Sequence, residues 1–210
     1  MRVLIVFAHP EHASFNGTML QASIEALEIA GHSVEVSDLY RESFSAVASR
    51  DDFESCLDPR VFAYHLEQKH AHEQGTFAAD VKREQDRLSA ADLVIFQFPL
   101  WWYSVPAILK GWFDRVLACG YAYGDGQSYA TGALSGKKAL LSVSIGGSEE
   151  TYQENAAGSL EKILFPIEFG TLRYVGFDVL PPILAFSADY GDPARRAEVI
   201  AKVRERLSAL

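Results

Sequence analysis

The chain alternates between short apolar runs and longer segments with helical periodicity. The apolar runs lack the strict polar–apolar alternation of a half-exposed strand, so they are typical of parallel strands buried on both faces. Five runs are predicted to be strands: residues 3–8, 34–37, 93–98, 139–144 and 179–185. The intervening segments predict five helices: residues 16–30, 80–90, 106–118, 159–174 and 193–210. This alternation predicts an α/β fold with a doubly wound, five-stranded parallel sheet.

Glycine and proline lie at the ends of the predicted helices, where they are common, and one segment interrupts the alternation of strands and helices. Gly31 and Gly176 follow helices, whereas Pro106 and Pro193 occupy first turns. Residues 41–79 are polar and irregular, and a connection of this length is usually functional or contains short helices of its own. With 210 residues and 49% hydrophobic content, residues 1–210 are predicted to form one domain that carries this insertion.

Charge and cysteine content narrow the function classes. The net charge of −9 argues against a nucleic-acid-binding surface. No apolar run approaches the ~18–20 residues of a membrane span, and the first run is too short for a signal peptide. Cys56 and Cys119 form no CxxC motif and are expected to be reduced thiols. These features predict a cytoplasmic protein without a membrane span.

Three unusual loops follow predicted strands, at the sheet edge where open α/β folds bind ligands. The first, residues 9–17, leads into a helix N-terminus, which favours an anion. It contains neither GxGxxG nor a P-loop lysine, so His9, Ser14 and Asn16 would have to supply the donors for a phosphate. An equally simple interpretation is that Ser14 or Asn16 is only an N-cap.

The second and third loops are rich in aromatic residues and glycine. Trp101, Trp102 and Tyr103 are consecutive, so their diverging side chains are hard to bury together. A planar ring cofactor would explain them, as would a hydrophobic surface for a partner. In the third loop, Gly146 and Gly147 allow close approach of the backbone to a ligand.

Residues 96–116 read FQFPLWWYSVPAILKGWFDRV and resemble the central signature of the NAD(P)H:quinone oxidoreductases of the DT-diaphorase type. Further motifs follow in the family's order: residues 8–11 with 14–16, Gly146-Gly147 with Tyr152, and residues 165–167 with 176–177. The resemblance extends from residue 3 to about residue 207. Without the extra C-terminal domain of the long animal enzymes, the sequence resembles the short, bacterial-type members.

The resemblance implies a flavodoxin-like fold, with FAD at a homodimer interface and two-electron hydride transfer from NADH or NADPH to a quinone. It implies that the FAD diphosphate and ribityl chain are held by His9, Ser14, Phe15 and Asn16. The ring would be framed by Pro99, Leu100, Trp101, Trp102, Tyr103, Ser144, Ile145, Gly146 and Gly147. Arg196 would contact the ADP part, which favours FAD over FMN. Tyr123 and Phe177 would line the substrate pocket, with Asp125 at the next family tyrosine.

Tyr152 is the catalytic residue that the resemblance implies. It would place a donor near the flavin N1/O2 edge, where negative charge develops on reduction. The family's animal enzymes have a histidine a few residues later, but residues 152–158 contain none. Gly146 and Gly147 would therefore contribute more through their N–H groups, or Asn155 would substitute.

Other interpretations lead to different experiments. An azo- or nitroreductase uses the same kind of pocket, and short family members also serve as ancillary subunits of potassium-efflux antiporters. A flavodoxin-like electron carrier fits the acidity but not the insertion. His65, His70 and His72 do not predict a metal site, because the spacing of the last two places them on different helix faces. Trp112, Phe113 and the insertion suggest apolar surface for a homodimer.

Overall fold

A computed structural model describes residues 1–153, 158–188 and 193–210. The strands are β1 (Arg2–Phe7), β2 (Ser33–Asp38), β3 (Leu93–Pro99), β4 (Lys138–Ile145), β5 (Asp178–Val179) and β6 (Ile183–Phe186). The helices are α1 (Phe15–Ile29), α2 (Tyr64–Gln74), α3 (Ala79–Ala90), α4 (Ala107–Val116), α5 (Leu160–Ile167) and α6 (Pro193–Ser208). After α5 the chain continues as a π-helical turn over Glu168–Arg173, so the predicted helix 159–174 changes its hydrogen-bonding pattern midway.

The sheet is parallel, with the order β2-β1-β3-β4 followed by β5 and β6, which both pair with β4. This is the flavodoxin-like order. The fifth strand position is filled by two short pieces rather than the continuous strand predicted over 179–185. Pro181 and Pro182 lie between the pieces, and neither has an N–H group to donate to a ladder.

Hydrophobic side chains fill both faces of the sheet. On one face α1 and α6 bury residues such as Met19, Leu27 and Val203. On the other face α3, α4 and α5 bury a cluster that includes Trp112 and Phe113. Trp112 is 0% exposed and Phe113 is buried, so the expectation that these two provide a dimer surface is wrong. In the part of the chain described here, no helix is long and apolar enough to cross a bilayer.

Residues 41–78 lie between β2 and α3 and contain a short 3-10 turn and α2. Arg115 of α4 fixes this insertion segment to the core. Its guanidinium bonds Asp52 at 2.9 Å, Asp80 at 2.6 Å and the Ser45 carbonyl at 2.8 Å. One turn earlier, α4 passes so close to the segment that a Cβ on Gly111 would lie 2.1 Å from the carbonyl oxygen of Ala46. The segment is therefore part of the packed domain.

Candidate functional site

The carboxyl ends of β1, β3 and β4 converge on a narrow cleft with a volume of about 90 Å³. Parallel strands bring the loops that follow them to one edge of the sheet, which is why residues distant in sequence meet here. The lining comprises His9, Ser14, Phe15, Asn16, Pro99, Leu100, Trp101, Ser144, Gly146 and Ala188. Nine of these ten were expected from the sequence, and Ala188 was not.

The loop after β1 is held by its own polar groups. Ser14 is the N-cap of α1, since its Oγ accepts the Gly17 N–H at 3.2 Å and donates to the Glu11 carbonyl at 2.6 Å. Nδ1 of His9 lies 3.0 Å from both the N–H and the carbonyl oxygen of Glu11, so the ring is held against the backbone of the loop. The capping interpretation of Ser14 is thus confirmed. Its role toward a phosphate stays a prediction, and the helix N-terminus beside it favours an anion.

Asn16 places an unsatisfied acceptor in the wall of the cleft. Its side chain is 3% exposed, and its Nδ2 donates to Oγ of Ser144 across the sheet. Its Oδ1 finds no partner among the described residues. A buried acceptor left unpaired costs ~1–3 kcal/mol, so this atom fits a site that receives a donor from a ligand.

Gln97 was missed by the sequence analysis. It is fully buried in β3, and its Nε2 donates to the backbone carbonyl of Asn16 at 2.7 Å, which fixes the start of α1 over the sheet. The available signal was that Gln97 is the only polar residue in the run LVIFQFP. A lone polar residue in a buried strand requires a partner, and here the partner belongs to the cleft.

The aromatic loop is a tight turn in an unusual conformation. Trp101 and Ser104 exchange both backbone hydrogen bonds, at 3.1 and 3.0 Å. Trp102 and Tyr103 between them have φ values of 51° and 59°, which is the conformation of a type I′ turn. This conformation costs ~1–2 kcal/mol for each residue that is not glycine. Trp101 lines the cleft, whereas Trp102 is 95% exposed and Tyr103 is exposed as well. The turn therefore exposes the indole of Trp102 to solvent while it holds two residues in an unfavourable backbone conformation.

Tyr152 stands next to the cleft, in the 3-10 turn Glu149–Tyr152. Its ring packs between those of Tyr103 and Phe186, with centroid distances of 6.2 and 6.3 Å. Gly147 leaves room for it, because a Cβ there would lie 3.0 Å from the tyrosine ring. Burial raises the pKa of Tyr152, and the neighbouring Tyr103 acts in the same direction, so the hydroxyl stays a donor at neutral pH. No described residue accepts a hydrogen bond from it, and Asn155 lies outside the described residues.

The remaining expected residues are distributed between two edges of the sheet. The guanidinium of Arg196 lies 5.6 Å from the Phe15 ring centroid and donates to the Ala188 carbonyl at 3.1 Å, which places Arg196 at the rim of the cleft. Ile145 is buried, so it can offer a ligand only its backbone. Tyr123 lies in the connection between α4 and β4, at the opposite edge.

Phe177 requires a correction. It is 3% exposed and precedes β5 at the amino edge of the sheet, where it belongs to the hydrophobic core. The structure therefore does not support it as a substrate-pocket residue. Tyr174 is the partly exposed aromatic residue nearby, and its ring centroid lies 5.9 Å from that of Tyr123. The pair of aromatic residues from separate segments could not be read from sequence spacing.

Comparison with known proteins adds to this geometry. A family model described as the flavodoxin-like fold matches residues 1–210. The NAD(P)H dehydrogenase (quinone) 1 of Rattus norvegicus is 44% identical over 211 residues, which cover 100% of this chain and 77% of that enzyme. The chain belongs to the family of the NAD(P)H:quinone oxidoreductases.

Solved structures agree with this membership. The NAD(P)H:quinone oxidoreductase of Methanothermobacter marburgensis is 32% identical with a TM-score of 0.80, over 99% of this chain and 96% of that one. A candidate quinone reductase of Klebsiella pneumoniae is 44% identical with a TM-score of 0.96, over 100% and 84% of the two chains. The NAD(P)H:quinone oxidoreductase family and the flavodoxin-like fold predicted from the sequence are confirmed. The comparisons do not favour the antiporter subunit or the azoreductase.

Proposed function

We propose that this protein is a flavin-dependent NAD(P)H dehydrogenase that reduces quinones by two-electron hydride transfer. The quinone-reducing class follows from the family. The observation that carries the flavin proposal is the cleft itself, where a helix N-terminus and the Oδ1 of Asn16, unpartnered among the described residues, meet an aromatic turn. These groups fit a ligand with an anionic part, donor groups and a flat ring.

The residues divide between the parts of such a ligand. His9 and the N–H groups at the start of α1 suit phosphate, and Asn16 suits a hydroxyl of the ribityl chain. Trp101 and the Gly146-Gly147 backbone suit the ring. A bound flavin would supply the capacity to accept a hydride from NAD(P)H and deliver two electrons to a quinone. The protein supplies binding, orientation and positioned donors.

FAD rather than FMN is the form we propose. Arg196 is fixed at the rim of the cleft by the Ala188 carbonyl and the Phe15 ring, beyond the helix N-terminus. A cation there suits an ADP moiety that extends past the first phosphate. We expect the purified protein to be yellow and to release FAD on acid treatment, as identified by chromatography. Release of FMN alone would contradict the role of Arg196.

The reaction is tested by following NADH and NADPH oxidation with menadione as acceptor. We expect oxidation of at least one nucleotide that depends on both the quinone and the bound flavin. Flavin-loaded protein that oxidises neither nucleotide would overturn the proposed function. Protein from which the flavin has been removed serves as the control, since it should be inactive and should recover on addition of FAD.

The hydroxyl of Tyr152, for which no described residue is the acceptor, leads to a prediction about the rate of flavin reduction. Replacing Tyr152 by phenylalanine is expected to slow reduction of the bound flavin about tenfold, ~1.4 kcal/mol in the barrier. A single essential donor can contribute up to ~3 kcal/mol, but here the N–H groups of Gly146 and Gly147 share the task. Stopped-flow absorbance measures the rate. Tyr121→Phe is the control, because that hydroxyl bonds the Gln85 carbonyl away from the cleft. An unchanged rate in Tyr152→Phe with flavin fully bound would reduce Tyr152 to a packing residue.

A homodimer is the oligomeric state we propose. Tyr123 lies at the sheet edge opposite the cleft, so it can line a flavin pocket only on a second copy of the chain. Exposed aromatic rings lie on the same side: Phe165 and Phe169 stack with centroids 5.0 Å apart, and Tyr129 packs against Phe169 at 5.2 Å. Light scattering is expected to give twice the chain mass of 23.2 kDa. A mass of one chain at micromolar concentration would refute the dimer.

The location we propose is the cytoplasm, because the free thiols of Cys56 and Cys119 fit a reducing compartment.

A further inference from the structure

A histidine and an aspartate join the first cleft loop to the end of β2. Nε2 of His12 lies 2.5 Å from Oδ2 of Asp38, the last residue of β2. The other oxygen of the same carboxylate accepts the backbone N–H of Arg41 at 3.0 Å. One carboxylate therefore holds both the loop after β1 and the first residue of the insertion segment. Neither side chain has a place in the proposed flavin contacts, so this arrangement calls for an explanation of its own.

The two side chains differ in burial. The Asp38 side chain is 9% exposed, whereas His12 is 49% exposed and packs its ring 5.4 Å from that of the buried Phe7. An exposed ion pair contributes little, but a buried carboxylate that loses its partner is strongly unfavourable. His12 therefore matters chiefly because Asp38 is already buried at this edge.

The backbone of His12 transmits its position to the helix that faces the ligand. A Cβ on Gly17 would lie 1.9 Å from the His12 carbonyl oxygen, so the first turn of α1 is packed directly on this carbonyl. The turn between them is closed by the Ala13 N–H, which donates to Oε1 of Glu11 at 2.7 Å. A displacement of His12 would consequently move the N-terminal N–H groups of α1.

Charge around the loop gives His12 a second role. Besides Asp38 from β2, the loop carries Glu11 and His9, and Arg41 after β2 has an exposed side chain. β1 and α1 face His12 with the uncharged residues Phe7 and Gly17. A buried carboxylate without a partner here would repel an anion at the adjacent helix N-terminus.

We propose that His12 is a positioning residue for the phosphate groups of the flavin. It fixes the loop at the N-terminus of α1 and, through its hydrogen bond to Oδ2, screens the charge of Asp38 where the diphosphate must approach. The inference rests on the proposed function in taking a flavin diphosphate as the anion. It assigns His12 no contact with the flavin.

The test compares the binding of two flavins, FAD and riboflavin, to the flavin-depleted full-length chain by fluorescence titration. Riboflavin shares the ring and ribityl chain but has no phosphate. His12→Ala is expected to weaken FAD binding about tenfold, the effect of one unpaired charge near the surface, and to leave riboflavin binding unchanged. His12→Arg restores a donor beside Asp38, with a permanent positive charge, and is expected to bind FAD at least as well as the wild type does.

The double variant His12→Ala/Asp38→Asn separates charge from packing. It removes the carboxylate charge along with its partner, so FAD affinity is expected to recover most of the loss. Equal weakening of FAD and riboflavin in His12→Ala, or no recovery in the double variant, would overturn the inference. Should the wild type bind neither flavin, the proposed function itself would fail, which is a distinguishable result. If His12→Ala does not fold, His12→Arg and Asp38→Asn still decide the question: the inference requires both to retain FAD binding.

Discussion

Replacing Arg115 by leucine is expected to destabilise the protein by about 3–5 kcal/mol, because it leaves the buried carboxylate of Asp52 and the half-buried one of Asp80 without their partner. Arg115 is buried and holds Asp52, Asp80 and the Ser45 carbonyl at once. Tyr64 of α2 donates to the second oxygen of Asp52 at 2.6 Å, so a displacement of Asp52 would also weaken the attachment of α2. Urea unfolding followed by circular dichroism measures the change.

Two further variants make this result interpretable. Arg60→Leu removes an exposed arginine that pairs with Asp58 in the same loop, and is expected to leave stability almost unchanged. Arg115→Lys is expected to recover little, because one ammonium group cannot reproduce the planar fork that serves three partners. Equal losses in Arg115→Leu and Arg60→Leu would contradict the role given to Arg115.

The ion pairs of Arg115 with Asp52 and Asp80 also predict that the stability of the fold depends on pH. Burial acts to raise the pKa of Asp80, but the hydrogen bond and charge of Arg115 outweigh it, so the pKa is lowered. A carboxyl group with a lowered folded-state pKa adds stability that is complete above its unfolded pKa of about 3.9 and is lost as the pH falls through the folded value. The stability difference between wild type and Arg115→Leu should therefore narrow below about pH 4.

Replacing Asn16 by aspartate is expected to weaken FAD binding by about a hundredfold or more, through repulsion between the new carboxylate and the flavin diphosphate. The exchange is isosteric; it buries a carboxylate in place of the Nδ2 donor to Ser144, but the Ser144 hydroxyl can donate to that carboxylate and the dipole of α1 favours an acidic side chain in its first turn. We therefore expect the fold to persist while affinity falls, a combination that fluorescence titration and thermal unfolding together can verify.

The matched control for Asn16→Asp is Gln21→Glu, which adds the same charge to the exposed face of α1. If both variants lose affinity equally, the effect comes from net charge and not from the cleft. If neither loses affinity, Asn16 does not lie close to the bound flavin, and the assignment of the cleft would have to be revised.

Much of this architecture could be predicted from the sequence because local patterns and global fold agree. Buried apolar runs set β1, β3 and β4, and these three strands place the loops that line the cleft. Ser14, Asn16 and Trp101 were recognisable because polar or aromatic residues at strand ends have few purely structural reasons to occur together. Because the strands are parallel, the loops that carry these residues meet at one edge of the sheet.

The sequence-based predictions that were wrong or incomplete have physical causes as well. Phe177 was predicted to line the substrate pocket because it belongs to a family motif. Only the register of β5 reveals that it lies at the amino edge of the sheet and in the core. Trp112 and Phe113 looked like excess surface, although α4 turns both rings inward onto Phe96. Gln97 and the pair His12–Asp38 depend on contacts between distant segments, which no local pattern encodes.

The interrupted last strand has a consequence for how copies of this chain can associate. A complete strand at that margin of the sheet would present a row of free N–H and C=O groups to which a neighbouring molecule could add its own strand. Pro181 and Pro182, at the centre of the row between β5 and β6, lack N–H groups, and because successive N–H groups point to opposite sides of a strand one of the two is missing from the outward row. A continuous sheet across two molecules is therefore disfavoured at this margin, and the same interruption protects the protein from open-ended aggregation. Side-chain surfaces, rather than shared strands, are left to bring two copies together.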